Sequence, residues 1–376
     1  MTKIELIFIM AIFFSVYSYI VFPVLLSGLG KLYNRVWKTG DYFPIVTMII
    51  SAYNEERDIE EKLKNSLLLD YPEDRIEIIV CSDGSTDRTN EIVAKIKDKR
   101  LSLKAFPDRL GKTICLNKVI PESKGEIIIF TDANSMLAPD MVLKLMRNFY
   151  DPIIGAVSGW TQYYNPESGE ETTGIYARLE KRTKLYESKL SSCVGADGAI
   201  FAIRKDLYVP LAANDINDFI IPLNVIRQRK RVVLDENIFC VEPITKGLKN
   251  VFTRQIRIST RTAWAIRHNI SLVNVFKYGS FSFFLFSHKI LRLLTPFFLL
   301  ATLIINIFIF QRSSVYTATL VGQLLFWLTG FLALFGVGRG RVVSICEYFL
   351  ITVSAQFIGC LRMVFGIEDV IWTPKR

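Results

Sequence analysis

The stretch "EIIIFTDANSMLAPD", residues 126–140, changes from apolar to polar within a few positions. Its apolar run, Ile127 to Phe130, consists of β-branched and aromatic residues, which is typical of a strand buried on both faces. Asp132 and Asn134 follow this run directly. Because ligands bind outside the carboxyl ends of the strands in a parallel sheet, an acid and an amide in this position predict a functional site.

The same strand-to-loop pattern occurs twice before this stretch, and segments with helical periodicity separate the strands. The strand segments are "IVTMIISAYNEE" and "IEIIVCSDGSTD", and the helical segments are "DIEEKLKNSLLLD", "RTNEIVAKIKDK" and "PDMVLKLMRNF". Alternating strands and helices predict a mostly parallel α/β sheet with helices on both faces. Glu55, Asp83 and Asp132 would then converge on one crevice at one edge of the sheet. The alternative is that they only form turns, which Asp and Asn favour.

The composition separates a charged middle from two apolar ends. Hydrophobic residues make up 51% of the 376-residue chain, yet its formal net charge is +10. The first apolar segment, Ile4 to Leu29, is long enough to cross a bilayer. We interpret it as an uncleaved anchor rather than a signal peptide, because it lacks a strongly basic start and a small-residue cleavage site. Lys31 and Arg35 follow it, so the positive-inside rule puts the next residues in the cytoplasm.

The C-terminal part combines basic, aromatic and apolar residues. Between Val251 and Phe286, arginines alternate with apolar and aromatic residues, a pattern typical of amphipathic helices at a membrane surface. Apolar runs follow at about 290–310, 316–337 and 342–365. We expect two to four membrane spans here, of which the last run is the weakest candidate because it contains Glu347 and Arg362.

The distribution of cysteine and histidine excludes several classes of site. The chain has six cysteines, all single and without a CxxC pair, which favours a reducing compartment. Both of its histidines, His268 and His288, lie in the C-terminal part. A histidine-based zinc site or a Ser-His-Asp triad in the middle segment is therefore not expected.

Four polar side chains carry the chemistry that the middle segment predicts. Asp132 and Asn134 point the same way on an extended turn, and their oxygens suit a hard divalent cation that also binds phosphate. A turn that caps the next helix is the alternative. Lys112 follows a glycine at a helix start, where an anionic group such as a diphosphate is favoured. Asp218 precedes an apolar helix and either caps it or acts as a general base.

Six motifs, in their order along the chain, are similar to those of the family 2 glycosyltransferases. They are "ISAYNEE", "CSDGSTDRT", "GKTICLN", "TDAN", "GADGAIFAIRKDLY" and "NDINDFIIPL". Over about residues 44–300 the chain resembles the membrane-integrated, cellulose-synthase-like branch, which includes hyaluronan, chitin and poly-N-acetylglucosamine synthases. The resemblance implies a GT-A fold and inverting transfer from a nucleotide-sugar, with Mg²⁺ or Mn²⁺ as cofactor.

The resemblance also implies roles for individual residues. The nucleotide-sugar-binding positions are Ala52, Tyr53, Asn54, Glu55, Asp83, Lys112 and Asp132. Asp132 matches the first acid of the family's metal-binding Asp-x-Asp, and Asn134 stands in the place of the second acid. Asp197 and Gly198 match the acceptor-side loop. Asp218 matches the catalytic base, which deprotonates the acceptor hydroxyl.

A motif of the polymerising members, Gln-x-x-Arg-Trp, is altered in this chain. The equivalent stretch is "RQIRIST", in which Arg257 matches the arginine and Ile258 replaces the tryptophan. The glutamine is either displaced or replaced by Arg254, and Trp264 follows as a further acceptor-side candidate. Because tryptophan stacks well on sugar faces, both processive synthesis and the addition of a single sugar stay open.

The sequence therefore predicts a membrane enzyme in four parts. These are an N-terminal transmembrane helix (residues 1–30), a cytoplasmic GT-A domain (41–245), amphipathic interface helices (246–288) and a C-terminal transmembrane region (289–376). We expect a bacterial inner-membrane protein that uses a UDP-sugar and a glycan or lipid-linked acceptor, surrounded by membrane lipids and joined by a partner subunit or a second copy. A nucleic-acid-binding or non-catalytic protein is disfavoured, because the basic excess lies beside the membrane segments.

Overall fold

The computed structural model describes residues 2–244 and 247–367, and these form two compact units. One, which we call the sheet unit, contains residues 26–244 and 269–284. The other, the helical unit, contains residues 2–25, 247–268 and 285–367. The end of the predicted C-terminal membrane region, residues 368–376, lies outside the described residues.

The sheet unit is built on one mixed sheet of eight strands. The strands are β1 (Val46–Ala52), β2 (Ile76–Asp83), β3 (Leu101–Phe106), β4 (Ile127–Asp132), β5 (Met136–Leu137), β6 (Ile154–Tyr164), β7 (Ile200–Arg204) and β8 (Arg231–Pro243). Their order is β3-β2-β1-β4-β7-β6-β8-β5. As the alternation predicts, β1 is parallel to β2 and β4, and β2 to β3. The sheet is mixed because β7 is antiparallel to β4 and β6, and β5 is antiparallel to β8.

Some of the helices belong to the sheet unit, and the others form the helical unit. They are α1 (Lys3–Val16), α2 (Phe22–Leu32), α3 (Ile59–Leu67), α4 (Thr89–Lys95), α5 (Lys112–Glu122), α6 (Met141–Asn148), α7 (Ile175–Leu190), α8 (Asn217–Arg227), α9 (Leu248–His268), α10 (Val275–Tyr278), α11 (Ser280–Phe284), α12 (Leu291–Ile309), α13 (Ser314–Leu334) and α14 (Arg341–Val364). Residues Ile127 to Phe130 of β4 are at most 1% exposed, which confirms the predicted buried strand.

The strand register aligns the carboxyl ends of the first parallel strands at one edge of the sheet. Ala52 of β1 pairs with Ser82 of β2, and Ser51 of β1 pairs with Asp132 of β4. Asp83 is the last residue of β2. The loops that follow β1, β2 and β4 therefore start at the same level, and the polar residues of these loops can form a single site.

Four helical stretches of the described residues are long and apolar enough to cross a membrane, judged by length and composition. They are Lys3–Leu32, Ser280–Arg312, Ser314–Leu334 and Arg341–Val364. The weakest predicted run, with Glu347, belongs to the continuous helix α14. α1 and α12 are antiparallel, since Glu5 forms an ion pair with Arg312 at 3.7 Å, whereas Ser18 Oγ donates to the Ser287 carbonyl at 2.8 Å.

The segment predicted as amphipathic interface helices contains one long helix, α9, and the two short helices α10 and α11. Within the helical unit, α9 packs closely on α14. A Cβ added to Gly359 of α14 would lie 2.5 Å from Ser259 Cβ and 2.8 Å from the Thr260 nitrogen. Small residues permit such close contact between helices.

Candidate active site

Asp83, at the end of β2, is held by the segment that precedes α5. Its carboxylate accepts hydrogen bonds from the backbone N–H groups of Leu110 (2.7 Å) and Gly111 (3.1 Å), and it forms an ion pair with Arg109. The Arg109 guanidinium also lies 3.3 Å from the centroid of the Tyr53 ring. The acid and the aromatic ring predicted to bind the nucleoside therefore lie together at the sheet edge.

The loop after β1 is tied to the loop after β2. Asn54 has a positive φ of 53°, and its side-chain oxygen accepts a hydrogen bond from the Thr86 N–H at 2.8 Å. The Glu55 N–H donates to Thr89 Oγ1, also at 2.8 Å. Ala52 and Glu55 are both buried. These residues give the loop its shape, and their contact with a nucleotide stays a prediction.

Lys112 and Asp132 form the centre of the cluster of polar residues at this edge of the sheet. Lys112 begins α5 directly after Gly111, whose φ of 91° favours glycine. The Lys112 Nζ donates to Asp132 Oδ1 at 2.6 Å. Burial alone would lower the pKa of Lys112, but the carboxylates of Asp132, Asp218 and Glu242 raise it overall. A positive charge thus faces several acids at this edge.

The turn at residues 131–135, which contains the predicted metal ligands, is supported by a buried lysine. The Nζ of Lys62 on α3 donates to Thr131 Oγ1 at 3.0 Å and to the Ser135 carbonyl. Ser135 Oγ donates in turn to the Glu242 carboxylate on β8. Burial lowers the pKa of Lys62 to about 8. The side chain therefore remains mostly protonated at neutral pH.

Asp218, in the first turn of α8, faces the loop that contains Gly198. Its Oδ1 is buried and, within the described part of the chain, has no hydrogen-bond partner. A Cβ added to Gly198 would lie 2.9 Å from Asp218 Oδ2, so a larger residue at this position would crowd the carboxylate. Burial raises the pKa of Asp218, and the nearby Asp197 carboxylate also raises it. The ammonium groups of Lys112 and Lys184 have the opposite effect and lower it. A carboxylate with a raised pKa is a better proton acceptor, which suits a general base.

Asp197 makes hydrogen bonds within its own region. Its carboxylate accepts from the Thr161 N–H (3.0 Å), from Thr161 Oγ1 (2.8 Å) and from the Ala199 N–H (3.1 Å). Lys184 Nζ donates to the Ala196 carbonyl at 3.0 Å. These bonds fix the conformation of the acceptor-side loop. A direct contact between Asp197 and an acceptor stays a prediction.

Asp132 and Asn134 are the residues that could hold a divalent cation. Residues 2–244 and 247–367 contain no group of three or more His, Cys, Asp or Glu side chains suited to a metal ion. A cation on Asp132 and Asn134 would therefore take further oxygens from a bound diphosphate and water, as Mg²⁺ commonly does. In the structure, the Lys112 ammonium pairs with this carboxylate at 2.6 Å.

The other acceptor-side candidates, Arg254, Arg257 and Trp264, lie on α9 in the helical unit. The Trp264 indole N–H donates to the carbonyl of Ile367, just after α14, at 3.1 Å. Trp264 therefore helps to hold α9 against the end of α14. The role of these three residues toward an acceptor stays a prediction.

Four residues of the cluster are absent from the predicted set: Lys62, Arg109, Lys184 and Glu242. Lys62 shares α3 with one other lysine and Lys184 shares α7 with two, and the sequence gives no sign that these two are buried. The other two, Arg109 and Glu242, could have been inferred from their positions in the sequence. Arg109 precedes the Gly-Lys pair, and Glu242 lies near the end of a strand.

Comparison with known proteins gives a family match for most of the sheet unit. Residues 47–209 match the model described as Glycosyl transferase family 2. The poly-beta-1,6-N-acetyl-D-glucosamine synthase of Staphylococcus aureus is 31% identical over 164 residues, which are 43% of this chain and 39% of that protein. The beta-monoglucosyldiacylglycerol synthase of Nostoc sp. is 33% identical over 140 residues, 36% of this chain and 30% of that protein. The chain thus spans well under half the length of these curated relatives.

A solved structure resembles nearly the whole chain. It is the mannosyltransferase PcManGT from Pyrobaculum calidifontis, determined in complex with GDP-Man and Mn²⁺. The TM-score is 0.74 over 96% of this chain and 100% of that one, with 21% sequence identity. At this identity the likeness concerns the fold, and it confirms the predicted GT-A arrangement.

Proposed function

Because residues 47–209 are a glycosyl transferase family 2 domain, we propose that this protein is an inverting glycosyltransferase that uses a nucleotide-sugar, preferably a UDP-sugar. The observation that carries the proposal is the continuity of the sheet-edge cluster. Asp83 accepts a hydrogen bond from the N–H of Gly111, and Lys112 follows Gly111 and pairs with Asp132. The Asp218 carboxylate, whose Oδ1 is buried, lies near the same lysine. The cluster thus contains residues that can bind the nucleoside, residues that can bind the diphosphate, and a general base.

The donor's nucleoside and diphosphate have separate partners in this proposal. Tyr53 and Asp83 contact the nucleoside, and Arg109, which already touches both, orders that side of the site. Lys112 attracts the diphosphate. The positive end of α5, which begins at Lys112, adds to this attraction, because N–H groups at a helix start favour anions.

A divalent cation fits beside these residues. Asp132 supplies a carboxylate and Asn134 an amide oxygen, and both stand at the edge where the diphosphate would lie. When bound there, Mg²⁺ or Mn²⁺ would neutralise charge on the diphosphate and make it a better leaving group. Lys112 assists by keeping a positive charge against Asp132 at 2.6 Å.

Asp218 serves as the general base of the transfer. Its carboxylate takes the proton of the acceptor hydroxyl, and the acceptor oxygen forms a bond to the anomeric carbon of the donor sugar. The bond from that carbon to the diphosphate oxygen breaks, and the nucleoside diphosphate leaves with the bonding electrons. Attack from the face opposite the leaving group inverts the anomeric configuration. Lys112 and Lys184 oppose the increase that burial causes in the pKa of Asp218, and they thereby favour the ionised carboxylate that a base requires.

We propose that the product is a cell-surface polysaccharide made at the membrane. The name of the S. aureus relative, a synthase of a polymer of N-acetyl-D-glucosamine, supports a polysaccharide product. The second candidate is the addition of one sugar to a lipid-linked acceptor. The glucosyldiacylglycerol synthase name and Ile258 in place of a tryptophan favour it. In either case we place the protein in the bacterial inner membrane with the GT-A domain (41–245) in the cytoplasm, between an N-terminal anchor and the C-terminal spans. We also propose that amphipathic interface helices lie at the membrane surface. The protein then works together with a partner subunit or with a second copy of itself.

Nucleotide release by the detergent-purified protein tests the proposal. UDP- and GDP-sugars are offered singly with Mg²⁺ or Mn²⁺ and a membrane lipid extract as acceptor source. We expect release from one UDP-sugar, its loss in excess chelator and its return with added cation. Sizing of the product separates a polymer from a single transfer. Full activity in excess chelator would contradict the cation's role, and no release from any donor would contradict the proposed activity.

A further inference from the structure

The candidate cation site is carried by a turn whose two ends are both bound by one helix. Lys62 on α3 is 0% exposed, and its Nζ donates to Thr131 Oγ1 at 3.0 Å and to the Ser135 carbonyl. These two residues flank Asp132 and Asn134 in the chain. A single ammonium thus bridges the start and the end of the turn.

A second residue of α3 extends this grip. Asn65 donates from Nδ2 to the Leu137 carbonyl at 2.8 Å and accepts from the Leu137 N–H at 2.9 Å. Residues three positions apart share one face of a helix, so Lys62 and Asn65 act from the same side. On the other side of the turn, Ser135 Oγ is bonded to Glu242 of β8. The turn is therefore fixed by side chains along its length.

The burial of Lys62 needs an explanation beyond packing. Removing an ammonium from water is costly unless it is hydrogen-bonded and paired. The apolar contacts of α3 are already provided by Ile59 and Leu63, which are also 0% exposed. A hydrophobic residue in place of Lys62 would satisfy the core, but it would leave the Ser135 carbonyl and the Thr131 hydroxyl without this donor.

We propose that Lys62 and Asn65 are positioning residues that hold the 131–137 turn in the shape in which Asp132 and Asn134 bind a divalent cation together with the donor diphosphate. The inference rests on the proposed function. The two residues touch neither cation nor donor and act through the turn. Residues that orient metal ligands in this way commonly change metal affinity by about 10- to 100-fold when they are removed.

The test compares Mn²⁺ binding by Lys62→Met and by wild type, both as full chains in detergent. Bound Mn²⁺ is followed by loss of the free-ion paramagnetic resonance signal, with UDP present. UDP binding without metal and the thermal midpoint are measured on the same samples. We expect the Mn²⁺ dissociation constant to rise about tenfold or more in Lys62→Met, with metal-free UDP binding unchanged.

Lys64→Met is the matched control, because Lys64 lies on the same helix with its side chain 67% exposed and, among the described residues, forms an ion pair with Glu60 one turn earlier. It should bind Mn²⁺ as wild type does. Asn65→Ala keeps the inference testable if Lys62→Met does not fold, and it should weaken Mn²⁺ binding in the same direction.

Two results would overturn the inference while leaving the proposed function intact. One is a folded Lys62→Met or Asn65→Ala protein that binds Mn²⁺ as tightly as wild type. The other is a parallel loss of metal-free UDP binding, Mn²⁺ binding and thermal stability, which indicates a role in folding only. If wild type itself shows no UDP-dependent Mn²⁺ binding, the cation part of the proposed function fails instead.

Discussion

Asp218 shows how the chemistry of single residues depends on neighbours that are distant in the chain. Lys112 opens α5 and Lys184 lies on α7, yet both lower the pKa of this one carboxylate. The sequence singles out Asp218 as an acid at the start of an apolar helix, where it either caps the helix or acts as a base. Lys112 was predicted as a neighbour of the diphosphate, but Lys184 was not, since lysine is usually exposed and only the fold shows which lysines are buried.

Lys184→Met should shift the pH dependence of transfer. Burial raises the pKa of Asp218, and Lys184 is one of the two cations that oppose this effect. Without Lys184, the pKa of Asp218 rises further, and the base is ionised only at higher pH. We therefore expect the acidic limb of the profile of kcat/KM against pH to move to higher pH, while activity at high pH is largely retained.

The exposed Arg182 on the same helix provides the control for this variant. Arg182→Met removes one positive charge from α7 without touching the acceptor-side loop, and its profile should match that of wild type. A Lys184→Met enzyme whose acidic limb coincides with that of wild type would show that Lys184 does not tune the base.

At the scale of elements, alternation and periodicity predicted the strands β1, β2 and β4 and the helices that follow them. The place of β7 could not be predicted. It pairs antiparallel with β4 although more than sixty residues separate the two in the chain, and period-two alternation contains no information about partners. The same limit applies to α9, whose basic and apolar pattern indicated a membrane surface but not a tight contact with α14.

Gly359→Ala should destabilise the helical unit. The added Cβ would lie 2.5 Å from Ser259 Cβ and 2.8 Å from the backbone nitrogen of Thr260, so α9 would have to move away from α14. Overpacking of this kind costs about 1–3 kcal/mol. The effect is measured by thermal unfolding of wild type and Gly359→Ala, both purified in detergent and compared side by side.

Gly322→Ala on α13 is the matched control, because a Cβ at Gly322 meets no atom within 4 Å. Its thermal midpoint should equal or slightly exceed that of wild type, since alanine favours helix more than glycine does. Equal midpoints for Gly359→Ala and Gly322→Ala would refute the close contact between α9 and α14.

At the scale of the whole molecule, charge and helix direction are both compatible with the orientation that we propose for the spans. The antiparallel arrangement of α1 and α12 follows if each crosses the membrane once in opposite directions. Lys31 and Arg35 follow the first span, and Arg339 and Arg341 lie between the last two. Placing both groups in the cytoplasm satisfies the positive-inside rule. The apolar runs of the sequence predicted the four candidate spans. The path of an acceptor could not be derived, since it depends on contacts between parts of the chain that have no common sequence pattern.

We propose that Asp218 removes the proton of an acceptor during transfer from a nucleotide-sugar bound at the same sheet edge. The most direct measurement compares wild type with Asp218→Asn in two assays on the same preparation: binding of the preferred nucleotide-sugar, and incorporation of its labelled sugar into product. Asparagine keeps the shape of the side chain but cannot accept the proton as a carboxylate does.

We predict that Asp218→Asn binds the donor as wild type does and loses about 10²- to 10⁴-fold in the rate of sugar incorporation, the usual range for a general base. Incorporation at the wild-type rate, with donor binding intact, would contradict the account.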